Sequence, residues 1–175
     1  MEAATRVIVT QGLGAPTATI AQKAGVSNGS LFTYFETKAD LFNQLYLELK
    51  SGMAAAALEG VPAEGDLRKQ AFLVWSNWMD WARSNPGKRR ALAQLSVSGE
   101  ITPATRATAQ KTLASLADLM ERMRTYGSLR NASKGFAAAL MNSLAEITMD
   151  FMIQDPANAK KHCKVGFEVF WRAIS

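Results

Sequence analysis

Asn28, Gly29, Ser30 and Thr33 fall on one side of a short stretch, Asn28 to Phe35, whose other side carries Leu31 and Phe35. An Asn amide pairs two-pronged with adenine, Ser and Thr hydroxyls bond several bases, and a glycine lets a backbone come close. The chemistry on offer is hydrogen bonding to base edges rather than bond making. Material for catalysis is scarce. His162 and Cys163 are the sole histidine and the sole cysteine, and adjacent helical residues point about 100° apart. Asn158 and Gly166, neither an acid, stand four residues to either side of His162. One His and one Cys also exclude a disulfide framework and any metal site built from several such ligands. No enzymatic activity, metal or cofactor is expected, and Cys163 reads as a packed thiol.

The elements that must hold the reading surface follow from the punctuation. The chain has 175 residues, 48% hydrophobic and 20% charged, enough apolar side chain for a core. It is rich in Ala, Leu, Met, Lys and Glu between glycine and proline breaks, so the fold class is all-α. Glu2 to Gln11 form a helix closed by Gly12, Gly14 and Pro16, and Thr17 or Thr19 caps a short one through Ala24. Gly25 supplies a left-handed turn, Val26 plugs the corner, and Ser27 caps the stretch that carries Asn28. Ile20, Ala21 and Ala24 are expected to line the inner side of the first short helix. Thr37 with Asp40 resembles a capping box that opens a long helix, Lys38 to about Leu58. Residues 17 to 38 therefore predict two short helices joined by a tight turn, the plan of a helix-turn-helix that reads a DNA major groove. Gly60 to Gly65 end this part, and Asp66 caps the next helix. Breaks at Asn85-Pro86-Gly87, Gly99 to Pro103, Tyr126 to Asn131 and Asp155-Pro156 divide the rest into five helices that suit a bundle.

The pattern carried by Ile20, Ala21, Lys23, Ala24, Gly25, Val26, Ser27, Gly29, Leu31, Tyr34, Phe35, Lys38 and Leu41 resembles the N-terminal domain of TetR-family transcriptional regulators. The resemblance implies a helix-turn-helix DNA-binding domain over residues 1–36, a linking helix over 37–58, and a ligand-binding and dimerisation domain over 66–175. It implies that Asn28, Gly29, Ser30 and Thr33 face bases, that Thr17, Tyr34 and Lys38 meet phosphates, and that Thr19, a further DNA-contact candidate, stands with Ala18 where many relatives carry an arginine that reaches a base or phosphate. The tyrosine usual after the leucine of the recognition helix is Phe32 here. The partners so implied are double-stranded palindromic operator DNA, a small-molecule effector that releases repression, and a second copy of the chain. The tail, with Thr148, Met149, Asp150, Phe151, Asp155, Pro156 and Gly166 among its matching residues, is similar to RamR-type repressors of multidrug efflux genes.

In the body, Phe72, Trp75 and Met79 share a helix face, and Met123 and Met141 offer deformable apolar walls. Most such residues are expected to be bundle core. The best candidates for effector contact are Tyr46, Trp75, Met79, Met123 and Met141, with Glu146 as a half-buried carboxylate that could attract a cationic ligand. The last two helices, about Ala132 to Gln154 and Pro156 to Ile174, carry more apolar surface than one body needs. Ala138, Phe151, Phe167, Phe170 and Trp171 are therefore assigned to an isologous homodimer interface.

The formal net charge is +5, yet residues 1 to 50 carry four cations and four anions, a neutral head. The surplus is read as lying in the body, including Lys88, Arg89 and Arg90. A basic N-terminal arm is expected upstream of Met1. No apolar run approaches the roughly 20 residues that span a bilayer, and no signal peptide is evident, so the expected location is cytoplasmic, with no membrane partner. The neutral head, Ala18 and Phe32 also motivate an alternative: a helical adaptor, degenerate in DNA binding, that acts through protein partners.

Overall fold

The computed structural model describes residues 1–125 and 127–174; Tyr126, expected to open a break, lies outside them. Among the described residues there are ten α-helices and no strand. They are α1 (Glu2–Gln11), α2 (Thr17–Ala24), α3 (Asn28–Tyr34), α4 (Lys38–Leu58), α5 (Leu67–Ser84), α6 (Pro86–Ser96), α7 (Pro103–Thr112), α8 (Ala114–Thr125), α9 (Lys134–Gln154) and α10 (Ala159–Ile174), with a 3₁₀ turn over Pro156–Asn158. The expected caps form: Ser27 accepts from Ser30 N–H at 3.0 Å, Asp66 from Lys69 N–H at 2.8 Å, and Thr102 from Thr105 N–H at 3.1 Å. Helix α2 is different. Pro16 holds its N-cap position with no side-chain bond, and Thr17 is already helical.

The chain divides into two compact units, residues 1–52 with 85–113, and residues 53–84 with 114–175. This differs from the expected grouping of residues 66–175. Helices α6 and α7 belong with the head because α6 buries Ala91, Leu92 and Leu95 while packing on α1, which also packs on α2. The loop between α6 and α7 is fastened to α4. Asn43, buried, donates to the Glu100 carbonyl at 2.8 Å and accepts from Thr102 N–H at 3.0 Å. Arg106 then clamps the end of α6 by donating to the carbonyls of Ser96 and Ser98, each at 2.9 Å. The single helix expected after Pro103 is two, α7 and α8, parted at Leu113 where the chain passes between units without a glycine or proline.

The second unit is built on α5, α8, α9 and α10 around Trp75, Met79, Met123, Met141, Met149 and Phe167. Trp75 donates its indole N–H to the Cys163 carbonyl at 3.0 Å, so the ring is satisfied as well as buried. Helix α9 corrects the expectation about apolar runs. By length and composition it is long and apolar enough to cross a membrane, its most apolar 18-residue window having a mean hydropathy of 1.3. Its apolar residues cover two sides: Ala137, Met141, Ala145 and Met149 are buried, while Phe136, Ile147 and Phe151 are exposed.

Candidate nucleic-acid interface

The turn of the helix-turn-helix is set by Gly25, at φ 73° and ψ 24°, whose N–H reaches the carbonyls of Ala21 and Gln22. Val26 N–H bonds to the Ala21 carbonyl at 3.0 Å. Only glycine holds this left-handed conformation without cost. Ile20, Ala21 and Leu31 are buried beneath it and Phe35 is half-buried. Two expected core positions are open instead. Val26 is 43% exposed and Ala24 is exposed, because the turn is closed by backbone bonds and not by a plug of side chain.

On α3, Asn28, Gly29, Thr33 and Tyr34 are exposed and Ser30 is half-buried. Not every hydroxyl is idle: Ser30 Oγ lies 2.8 Å from Ser27 Oγ, and Thr33 Oγ1 donates to the Ser30 carbonyl at 2.7 Å. Asn28 carries the outward amide. At Gly29 an added Cβ would meet only Ser27 Oγ at 3.7 Å, an ordinary contact, so nothing within the head demands a glycine there. Thr17 and Thr19 are half-buried on α2. At the start of α4, Thr37 Oγ1 accepts from Asp40 N–H at 3.0 Å, and Asp40 Oδ2 accepts from Glu36 N–H at 3.2 Å. The return bond of the capping box thus goes to Glu36. Lys38 Nζ sits over the Phe42 ring, 5.3 Å from its centroid, a cation–π contact that steadies the side chain. A groove of ≈ 560 Å³ lies at the α3–α4 junction, lined by residues 32–36 with Asp40 and Gln44.

Residues 1–45 match the family described as bacterial regulatory proteins, tetR family. That match spans α1 to α3 and the start of α4. The whole chain is also similar to a tetR-family transcription regulator from Shewanella sp. PV-4, with TM-score 0.86 and 29% identity over 97% of this chain and 93% of that one. A regulator of the same family from Marinobacter aquaeolei VT8 shares the fold, with TM-score 0.81 and 20% identity over 99% and 92%. Nucleoid occlusion factor SlmA of Haemophilus influenzae is 25% identical over 167 residues, 90% of this chain and 73% of that protein. These relatives are named as transcription regulators and a nucleoid occlusion factor, not as enzymes.

Charge in this chain is distributed otherwise than expected. The unit that contains the helix-turn-helix holds nine cations against five anions, net +4, and the other unit holds eleven against ten, net +1. The surplus thus lies with the head, brought there by α6 and α7. Lys50, half-buried on α4, has its pKa lowered by burial and by the Arg106 guanidinium, and its Nζ lies over the Tyr46 ring at 5.7 Å. Sequence pattern missed this pair because Arg106 comes from α7.

The expected effector residues fall in both units. Trp75, Met79, Met123 and Met141 are buried together in the second unit, whereas Tyr46 is buried in the first. Glu146 is exposed, not half-buried, since the inner side of that turn of α9 is taken by Ala145 and Met149. The expected interface residues also separate. Phe167 and Phe170 are buried, with Phe167 4.9 Å from the Phe72 ring and 6.0 Å from Trp171, while Ala138 and Phe151 are exposed and Trp171 is half-buried. Phe167 and Phe170 are core because the α5 aromatics claim that side of α10. His162, expected to lack an acid, bonds Asp155 Oδ2 at 3.0 Å, seven residues back across the 3₁₀ turn. His162, with Asn158, holds the Asp155 carboxyl below its ordinary pKa. The Cys163 thiol is pushed up by burial, which keeps it protonated and inert.

Proposed function

We propose that this chain is a homodimeric, ligand-responsive transcriptional repressor that reads a palindromic double-stranded operator through α3 and is released by a small, largely apolar effector. The observation that carries this reading is the outward side of α3. There an exposed Asn28 amide stands beside a glycine that the head itself does not require, above a buried Leu31. A surface of that kind suits close approach to base edges, and Lys38 at the start of α4 suits a phosphate.

Reading two successive major grooves needs two recognition helices about 34 to 36 Å apart, hence two copies. Phe136, Ile147 and Phe151 on α9, and Val165 and Val169 on α10, are exposed apolar residues that support an isologous contact between copies. The effector would enter the second unit beside Trp75, Met123 and Met141, where methionines re-pack around different shapes. Exposed Glu146 removes the argument for a cationic effector. Binding there would act on DNA affinity through α4, which is continuous from one unit into the other. A coupling of about 1–3 kcal/mol is the usual scale for such a link. A regulator of this kind works in the cytoplasm, where the chromosome is.

Selection of bound sequences from random duplex DNA tests the reading. Enrichment of an inverted repeat is expected, and its absence overturns the repressor. A second reading is a DNA-bound factor in nucleoid occlusion that acts through protein partners, favoured by the 25% identity to SlmA over most of this chain. Chromosome-wide crosslinking separates the two. Few sites beside promoters support the repressor, and many sites away from promoters support the occlusion factor.

A further inference from the structure

We infer that Lys88 and Arg90, at the start of α6, form a second phosphate-binding surface that extends the DNA interface of the head along the duplex. The inference rests on the DNA-binding reading above and goes beyond the helix-turn-helix.

Charge is the first argument. Residues 1–52 carry four cations and four anions, and α3 has no cation of its own. A duplex presents one negative charge per about 1.7 Å of axis, and neutralising its phosphates supplies most of the sequence-independent affinity. Residues 1–52 bring no net positive charge to that partner. Residues 85–113 add five cations against the single anion Glu100, and they belong to the same compact unit. The positive charge of the DNA-binding unit therefore resides on α6 and α7.

Attachment is the second argument. Arg106 is committed to the carbonyls of Ser96 and Ser98. Lys88 and Arg90 are exposed, on a helix whose buried residues Ala91, Leu92 and Leu95 seat it while it packs on α1. Helix α1 packs on both α2 and α6, so the basic helix stands one helix away from the helix-turn-helix. The loop that follows α6 is tied to α4 through Asn43, five residues beyond Lys38 in the same helix. The cations are thus carried on a braced part of the reading unit, and a phosphate backbone running past the head is the partner whose charge they complement.

The test compares three full-length proteins on one long duplex that carries the selected site at its centre: the wild type, Lys88→Ala/Arg90→Ala, and Lys160→Ala/Lys161→Ala. The last pair is exposed on α10 and removes the same charge from the other unit. All four positions are exposed helical sites, where alanine is well tolerated. The log of affinity is measured against the log of salt concentration. The α6 variant should bind more weakly with unchanged base preference, its slope falling by about 2, near 0.9 for each phosphate no longer neutralised. The α10 variant should keep the wild-type slope. An unchanged slope for the α6 variant overturns the inference and leaves the DNA-binding reading standing. An equal fall in both variants also overturns it, since net charge alone would then be the cause. Failure of the wild type to bind any duplex overturns both.

Discussion

Gly166 on α10 lies against the side chain of Thr148 on α9, close enough that a Cβ added to the glycine would collide with Thr148 Oγ1 and Cγ2. Thr148 is buried, and its Oγ1 is held by donation to the Leu144 carbonyl at 2.8 Å, so it has little freedom to yield. Gly166→Ala should therefore overpack the seam between the two helices and cost about 1–3 kcal/mol. The better helix propensity of alanine offsets up to about 1 kcal/mol of this. Urea midpoints check it. The double variant Thr148→Ala/Gly166→Ala should regain part of the loss, whereas a single variant as stable as the wild type would refute the collision.

The two sides of α10 predict opposite phenotypes. Val165 and Val169 are exposed, as is Ile147 on α9, so Ile147→Lys should leave the fold intact and shift a dimer towards monomer in sedimentation equilibrium. Phe167 is buried against Phe72, so Phe167→Ala should cost about 3–5 kcal/mol and lower the melting temperature. A monomeric Phe167→Ala that melts like the wild type would place that ring in the interface after all.

These two helices show where sequence is a good guide and where it stops. Helix ends were legible at Gly25, Ser27 and Asp66, where a local device marks them, but not at the start of α2, whose N-cap is Pro16 and not Thr17 or Thr19. The break at Leu113 carries no glycine or proline and was not legible. The inward side of α10 was legible, since Ala159, Cys163, Phe167, Phe170 and Ile174 recur at helical spacing and are all buried. Hidden was what covers that side, the aromatic residues of α5 in the same chain and not a second copy. The same limit holds for long-range bonds. Asn43 reads as an ordinary helical residue until Glu100 and Thr102 meet it, and with them arrives the charge that the head lacks.

Glu121 predicts a pH dependence. Its carboxylate accepts from Arg124 at 2.8 and 3.0 Å, and Lys134 Nζ lies 3.5 Å away. The Arg124 hydrogen bonds, with the charges of Arg124 and Lys134, lower its pKa from 4.5 to about 2. Arg124 in turn donates to the carbonyls of Leu129, Arg130 and Ala132, which fixes the loop between α8 and α9. A carboxylate with a depressed folded pKa stabilises the fold above its unfolded value and loses that contribution as pH falls towards the folded one. Glu121→Gln should therefore lower the urea midpoint near neutral pH, and the gap to the wild type should close between about pH 4.5 and 2. The group is at the surface, so the gap is modest. A gap that stays constant over that range would show that the ion pair contributes nothing.

The head predicts a division of labour between Asn28 and Lys38. Asn28 is exposed on α3 and offers both a donor and an acceptor, so Asn28→Ala should change base preference at one position of each half-site, by about 1–3 kcal/mol. Lys38 stands at the first residue of α4 with its Nζ over Phe42, and the phosphate contact proposed for it predicts a different effect. Lys38→Ala should weaken binding to all duplexes alike and reduce the salt slope by about 1. Fluorescence anisotropy on the selected site and on single-base variants, at two salt concentrations, separates the two effects. If Asn28→Ala weakens every duplex equally and Lys38→Ala leaves the salt slope unchanged, the recognition surface lies on another face of the head.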